Sequence, residues 1–203
     1  MSPTSDRNPS RSRRGSGASR AGGRSRPEAQ LRAISELLGG ELLSGEPAQS
    51  LPRLSEAAAR LLEVERAGVW ALSGDGRVLR CVDQFARSAD QHATGAELAV
   101  DEHPAYLKAL RESDAVRAGD VRRKVALQSL RAALRASGTG AELDVPIRSA
   151  GRLIGVLCLG HQGGPRRWSD GEVRLASLLA ASAGLLLQQL ERQRAARVSC
   201  ESE

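Results

Sequence analysis

The sequence predicts an α+β fold, and three observations carry the prediction. Residues 143–148 alternate apolar and polar side chains, as in a half-buried strand, and residues 153–159 are nearly all apolar, as in a strand buried on both faces. The short turn at 149–151 joins the two as a hairpin. A long apolar helix follows from residue 170. An antiparallel hairpin beside a long helix is typical of an α+β domain.

The last helix has a complete start signal. Ser169 can accept a hydrogen bond from the backbone N–H of Glu172, whose carboxylate can reach back, so the two predict a capping box. Trp168 is expected to pack on Val173 as a hydrophobic staple. The helix is apolar on nearly every side as far as Leu187, so the sheet can cover only one of its faces. A second partner must cover the other.

The remaining elements are predicted from periodicity and turn signals, in chain order. The predicted helices span residues 28–43, 51–63, 104–112 and 127–135. The predicted strands span residues 67–73, 77–85 and 114–120, and the first two form a hairpin. Residues 86–100 are polar and are expected to be irregular.

Charge separates the N-terminal residues from the rest of the chain. Residues 1–27 hold seven Arg and one Asp, a net charge of +6, which equals the net charge of all 203 residues. The remainder therefore sums to zero. With little to bury, residues 1–27 are expected to be a disordered tail. The domain has no basic excess for nucleic acid, which could bind only weakly through the tail.

Hydropathy and cysteine usage limit the class of protein. No run of apolar residues is read as a membrane span, which takes about 20 residues, and the N-terminus lacks a secretory signal. A cytoplasmic protein without a membrane anchor is expected. Cys81, Cys158 and Cys200 have no paired spacing, so neither a disulfide framework nor a zinc motif is predicted.

Residues 103–110 (HPAYLKAL), 143–148 (LDVPIR) and 151–158 (GRLIGVLC), followed by WSDGE at 168–172, resemble GAF domains. The similarity covers about residues 50–190 and is to the sensor modules fused to bacterial histidine kinases and diguanylate cyclases. The order and spacing of the segments carry it, since no single motif is decisive.

The resemblance implies an antiparallel sheet of five to six strands, with the N- and C-terminal helices on one face and a pocket on the other. It divides the chain into a tail (1–27), an N-terminal signalling helix (28–48), the GAF domain (49–192) and a polar tail (193–203). It also implies a homodimer formed by the terminal helices. The candidate dimer residues are Leu31, Ile34, Leu38, Leu179, Leu186 and Leu190.

The pocket implied by the resemblance needs a few polar groups in an apolar cavity. The candidates are Asp83, His103, Tyr106, Asp120, Arg122 and Asp144. For each of them a turn, cap or surface role stays open. Trp70 and Phe85 are expected in the core. The acidic and histidine residues at 90–92 and 101–103 lack a second Cys/His pair at ligand spacing, so no metal site is predicted.

We expect a non-enzymatic sensory module with an unidentified small-molecule ligand and cofactor. No kinase, cyclase or DNA-binding region accompanies it in the sequence, so its output is expected to act in trans on a signalling protein. Two alternatives stay open, an enzyme like the GAF reductases of free methionine sulfoxide and a degenerate scaffold with a filled pocket. The thiols at 81 and 158 lie within strands, and residues 86–140 contain no Cys for bilin attachment.

Overall fold

The computed structural model describes residues 46–201, in which helices cover both faces of one sheet. The helices are α1 (Pro47–Leu61), α2 (Pro104–Glu112), α3 (Arg131–Ala136) and α4 (Asp170–Glu201). The strands are β1 (Arg66–Leu72), β2 (Val78–Ala86), β3 (Gln91–Ala93), β4 (Glu97–Ala99), β5 (Val116–Ala118), β6 (Thr139–Ser149) and β7 (Arg152–Gln162). The predicted tail and first helix, with Leu31, Ile34 and Leu38, lie outside the described residues.

The sheet is antiparallel throughout, as predicted. Its strand order is β3-β2-β1-β7-β6-β5, and β4 also pairs with β2. The central strands β1 and β7 are joined in register from Arg66 opposite Gly160 to Ala71 opposite Gly155. The predicted α+β class with about six strands is confirmed.

The β6–β7 hairpin turns through two residues with positive φ. Ala150 has φ 46° and Gly151 has φ 77°. Two successive left-handed residues are the geometry of the type I′ turn, whose twist matches that of the strands it joins. The predicted tight turn is therefore present, and both strands extend beyond their predicted bounds.

Three further segments differ most from the prediction. Helix α1 begins at Pro47 instead of residue 51, because proline is favoured in the first turn. The expected irregular segment contains β3 and β4, whose pairing with an edge of β2 needs no apolar pattern. The helix predicted over 127–135 is a 3-10 turn (Val125–Leu130) followed by α3.

Helix α4 begins with the predicted capping box. The Glu172 N–H donates to Ser169 Oγ at 3.2 Å, and the Ser169 N–H donates to Glu172 Oε2 at 2.8 Å. Trp168 and Val173 are both buried in the same apolar cluster, consistent with the staple. The indole N–H of Trp168 also donates to the Ala118 carbonyl at 3.3 Å, which fixes the start of α4 to strand β5.

Helices α1 and α4 pack on one face of the sheet and build the larger core. Their inward side chains meet those of every second strand residue, among them Val69, Leu143 and Leu157. Helices α2 and α3 and the 3-10 turn cover the other face with a smaller cluster around Leu110 and Leu127. The implied placement of the terminal helix α4 opposite the middle segment is thus observed.

The exposed face of α4 differs from the one predicted to dimerise. Leu186 is 0% exposed and Leu179 is also buried, while Leu190 packs partly against the core. All three lie on the side that packs against the sheet and α1. The exposed apolar residues are instead Leu178 and Leu185, at 48% and 52%. The prediction that Leu179 and Leu186 form dimer contacts is therefore corrected, because both side chains are buried in the core of the fold.

Helix α4 is also long and apolar enough to cross a membrane, which the sequence expectation missed. Its 18-residue window has a mean hydropathy of 1.4, and 56% of that window is buried inside the protein. A buried core helix meets the same criterion of length and composition, so this is weak evidence for a membrane span.

Candidate functional site

A cavity of about 340 Å³ lies on the sheet face opposite α1 and α4. Its floor is formed by side chains of β1, β2, β6 and β7, and its roof by α2, the 3-10 turn and α3. The polar or amphipathic lining residues are Arg66, Trp70, Gln84, Glu97, Tyr106, Ser137, Thr139, Glu142, Asp144 and Cys158. The volume is that of a small-molecule pocket.

The polar floor follows from the alternation of β6. Leu143 and Val145 face the helices, so Glu142 and Asp144, one position away from them, face the cavity. Glu142 is 6% exposed and Asp144 2%. Across the β6–β7 ladder Asp144 stands opposite Cys158, which places a third ionisable group on the same face.

Burial governs the ionisation of the two carboxyl groups. Desolvation, followed by the charge of Asp144, raises the pKa of Glu142 well above its ordinary value. Desolvation also raises the pKa of Asp144 to about 6, although hydrogen bonding from Cys158 and Tyr106 works against the shift. Both carboxyl groups therefore ionise less readily than exposed ones, and Asp144, with a pKa of about 6, is mostly ionised at neutral pH.

Tyr106 and Cys158 complete this corner of the cavity. The Tyr106 hydroxyl lies 3.9 Å from Cys158 Sγ. Burial raises the pKa of both groups, so neither is ionised at neutral pH. Oxygen atoms of Glu142 and Asp144 lie within 4.8 Å of Cys158 Sγ and of one another, a grouping with metal-ligand chemistry that the sequence did not reveal.

Three buried polar atoms around the cavity have no hydrogen-bond partner within residues 46–201. They are Glu142 Oε2, Asp144 Oδ1 and Trp70 Nε1. Leaving such atoms unpaired typically costs about 1–3 kcal/mol each. Trp70, expected in the core, instead lines the cavity, because it alternates along β1 with Ala67 and Val69, which pack on the side of α1 and α4. Phe85 is buried in the core under α1 and α4, so its predicted core position is confirmed.

The roof is held to the sheet by Arg148, at the end of β6. Its guanidinium donates to the carbonyls of Leu110 and Arg111 at 2.9 Å and of Ser113 at 3.2 Å. These are carbonyls at the C-terminal end of α2, where a cation also interacts favourably with the helix dipole. The contact connects the helix that carries Tyr106 to the strand that carries Asp144.

Of the six predicted pocket residues, the structure brings Tyr106 and Asp144 together and places four elsewhere. Asp83 is buried on the face of β2 that packs against α1, opposite the cavity, and lies 3.0 Å from His92 Nδ1. His103 precedes α2 as its N-cap residue and is not among the lining residues. Asp120 and Arg122 pair with each other at 2.9 Å beside a separate surface depression.

Glu142, Cys158 and Trp70 were missed as site residues. A signal for Glu142 was present, since it precedes Asp144 by two residues and so shares its face of the strand. Cys158 carried no signal, because a cysteine in an apolar strand is most simply read as a small hydrophobe. Trp70 shares its face of β1 with Arg66, another lining residue, but an aromatic residue in a strand is most simply read as part of the core.

The Asp144 carboxyl is expected to lower stability as the pH rises. The folded chain holds its proton up to a pKa of about 6, and the ordinary value is 3.8, so between these values the folded state binds more protons. Asp144→Asn should therefore raise the thermal midpoint at pH 8 and leave it nearly unchanged at pH 3. Calorimetry at both pH values measures the difference.

Asp120→Asn is the matched control for this prediction. Arg122 lowers the pKa of Asp120 to about 2, so its contribution to stability is present above 3.8 and lost in acid, the opposite direction. This exposed pair should have only a small effect. A decrease in the midpoint of Asp144→Asn at pH 8 would contradict the burial argument.

Comparisons with known proteins agree on the fold. A family model described as "GAF domain" matches residues 46–187. No curated protein matches the sequence. The blue-light absorbing form of the PixJ GAF domain of Thermosynechococcus elongatus is 21% identical with a TM-score of 0.60, over 84% of this chain and 97% of that one.

Two further solved structures are similar. JSC1_58120g3, a far-red absorbing dark state with bound biliverdin IXa, is 17% identical with a TM-score of 0.64, over 80% of this chain and 99% of that one. The bacteriophytochrome RpBphP3 of R. palustris is 16% identical with a TM-score of 0.63, over 86% of this chain and 40% of that one. At these identities the likeness is one of fold.

Proposed function

The chain belongs to the GAF domain family, and from that membership we propose that it is a sensory module whose cavity binds a small molecule. The supporting observation is the cavity of about 340 Å³ with unpaired buried oxygen atoms on its floor. A bound molecule that pairs with these atoms would recover part of the free energy that their burial costs. The proposed output is on a separate signalling protein.

The layers of the fold suggest how binding would be transmitted. On strand β6, Asp144 faces the cavity, whereas Leu143 and Val145 face the core under α1 and α4. A ligand that shifts this strand also shifts the surface against which α4 packs. Coupling of this kind is typically about 1–3 kcal/mol.

A non-enzymatic role is favoured over the reductase alternative by the state of the thiols. Burial, with the nearby charge of Asp83, raises the pKa of Cys81 to about 11, and burial raises that of Cys158. The reacting species of a thiol is its thiolate, which is scarce at neutral pH when the pKa is raised. The side chain of Cys200 lies outside the described residues.

The relatives suggest a bilin as an alternative ligand, since one of them holds biliverdin IXa. Residues 86–140, the segment that would supply an attachment thiol, contain no Cys, and the cavity volume is at the small end of ligand pockets. We therefore favour a smaller, non-covalent ligand over a bilin. The open cavity likewise argues against the filled, degenerate scaffold.

We propose that the protein is a homodimer formed through α4. Leu178 and Leu185 are exposed and seven residues apart, the spacing of one seam position in paired helices. Changing both to Glu should halve the mass in solution, measured by light scattering, without altering the circular dichroism spectrum. A wild-type monomer, or a variant that keeps its mass, would contradict this interface.

The remaining assignments are also proposals. GAF domains are typically soluble, and we propose a cytoplasmic protein in which α4 is a core helix and spans no membrane. Weak binding of nucleic acid through residues 1–27 stays a prediction, and its affinity should fall steeply with salt.

The proposed function is tested by native mass spectrometry of the purified full chain, looking for a molecule that is released on denaturation. Ala133 lines the cavity on α3, so Ala133→Trp should fill it and exclude the ligand. Ala132 and Ala133 are both exposed, but only Ala133 lines the cavity, so Ala132→Trp is the matched control. Equal occupancy of both variants, or no ligand in any form and none bound from a metabolite panel, would refute the proposal.

A further inference from the structure

We propose that the cavity selects an organic cation, a ligand with a protonated amine or amidine nitrogen on a flat apolar body, and that Glu142 and Asp144 bind its charged end. The inference rests on the proposed function, because it names the chemical class of the ligand in the same cavity. It follows from the charge, the unpaired atoms and the walls of that cavity.

A buried negative charge lies on the floor of the cavity. Asp144, with a pKa of about 6, is mostly ionised at neutral pH, and both it and Glu142 are more than nine-tenths buried. The facing groups are the neutral Tyr106 hydroxyl and the neutral Cys158 thiol. A monocation would neutralise this buried charge, whereas an anion would add to it.

Two other charged side chains line the same cavity. The Arg66 guanidinium works to lower the pKa of Glu142 and also donates to the Ser137 carbonyl, which engages part of it. Glu97 lines the cavity as well but is exposed and forms an ion pair with Arg80 at 2.6 Å. Neither removes the charge at Asp144.

The unpaired atoms favour a ligand that donates at one end. Glu142 Oε2 and Asp144 Oδ1 are acceptors without a donor among residues 46–201. The Trp70 indole N–H, on strand β1, is a buried donor that has no acceptor among the same residues. A ligand with N–H donors towards the carboxyl pair and an acceptor elsewhere would satisfy all three.

The walls indicate an organic body. Between the acidic corner and the roof the lining is mostly apolar, including Leu79, Leu127, Leu130, Leu134 and Val156. A space of about 340 Å³ is far larger than a metal ion needs. The volume accommodates a compact molecule of one or two rings.

The test uses three probes of nearly equal shape and different charge, the cation benzamidine, the neutral benzamide and the anion benzoate. Binding to the full chain is followed by the NMR indole N–H signals of its two tryptophans. The Trp70 signal should move. The Trp168 signal should not, because this side chain is buried in the core under α1 and α4 and its indole N–H donates to the Ala118 carbonyl. We expect benzamidine to bind roughly tenfold or more tightly than either analogue.

Variants separate the two carboxyl groups. Asp144→Asn removes the negative charge and should weaken benzamidine binding roughly tenfold or more. Glu142→Gln keeps the shape of the neighbouring side chain and should weaken it less, because the charge of Asp144 remains. Asp120→Asn, outside the cavity, should leave binding unchanged. Affinity for benzamidine should also fall as the pH drops below about 6, where Asp144 takes up a proton.

The outcomes distinguish this inference from the proposed function. Equal binding of benzamide or benzoate, or a neutral or anionic molecule found by native mass spectrometry, would overturn cation selectivity and leave a ligand-binding sensor. Binding of Zn²⁺ that depends on Cys158 and displaces benzamidine would make the cluster a metal site and overturn it too. No response of Trp70 to any probe would also count against it.

Discussion

Replacing Leu186 with Ala is expected to lower the free energy of unfolding by about 2–5 kcal/mol, while the same change at Leu185 lowers it by less than about 1 kcal/mol. The two residues are neighbours on α4 and lose the same atoms. Leu186 is fully buried between the helices and the sheet, so its truncation leaves a cavity. Leu185 is half exposed and leaves none.

Urea unfolding followed by circular dichroism measures both values at several protein concentrations. If Leu185 contacts a second copy, its substitution should lower stability more at high protein concentration, where the wild type gains most from association. The Leu186 effect should not depend on concentration. Equal effects of the two substitutions would show that the burial of α4 differs from that described.

The leucines of α4 show why the dimer residues could not be chosen from the sequence. The helix is apolar on almost every side, so its composition does not mark which stripe faces the sheet. The capping box correctly predicted where α4 begins. Which face of the helix points towards the sheet was predicted wrongly. The sheet and α1 set that rotation, and they select Leu179 and Leu186 over Leu178 and Leu185.

The sheet was more predictable than the cavity. Alternation in β6, the turn at Ala150 and Gly151 and the capping box are local signals, and each is found where it was expected. A cavity is built from separate elements, so its members share no local signal. Tyr106 and Asp144 were found through the resemblance. Asp83 lies on the other face because the register of β2 against β1 shifts by one residue between Cys81 and Asp83.

Gly155 lies where the central strands β1 and β7 leave no room for a side chain. It lies on β7 opposite Ala71 of β1. A Cβ at this position would stand 2.3 Å from the Trp70 carbonyl oxygen and 3.4 Å from Ala71 Cα. These are backbone atoms of a strand that is hydrogen-bonded on both sides, so no side-chain rotation can relieve the contact.

Gly155→Ala is therefore expected to destabilise the protein by on the order of 3 kcal/mol and to displace Trp70 from its place in the cavity. Urea unfolding measures the first effect, and a shift of the Trp70 indole signal with weaker benzamidine binding measures the second. Gly74→Ala is the control, because nothing lies within 4 Å of its added Cβ. If Gly155→Ala kept wild-type stability, β1 would have to yield without cost.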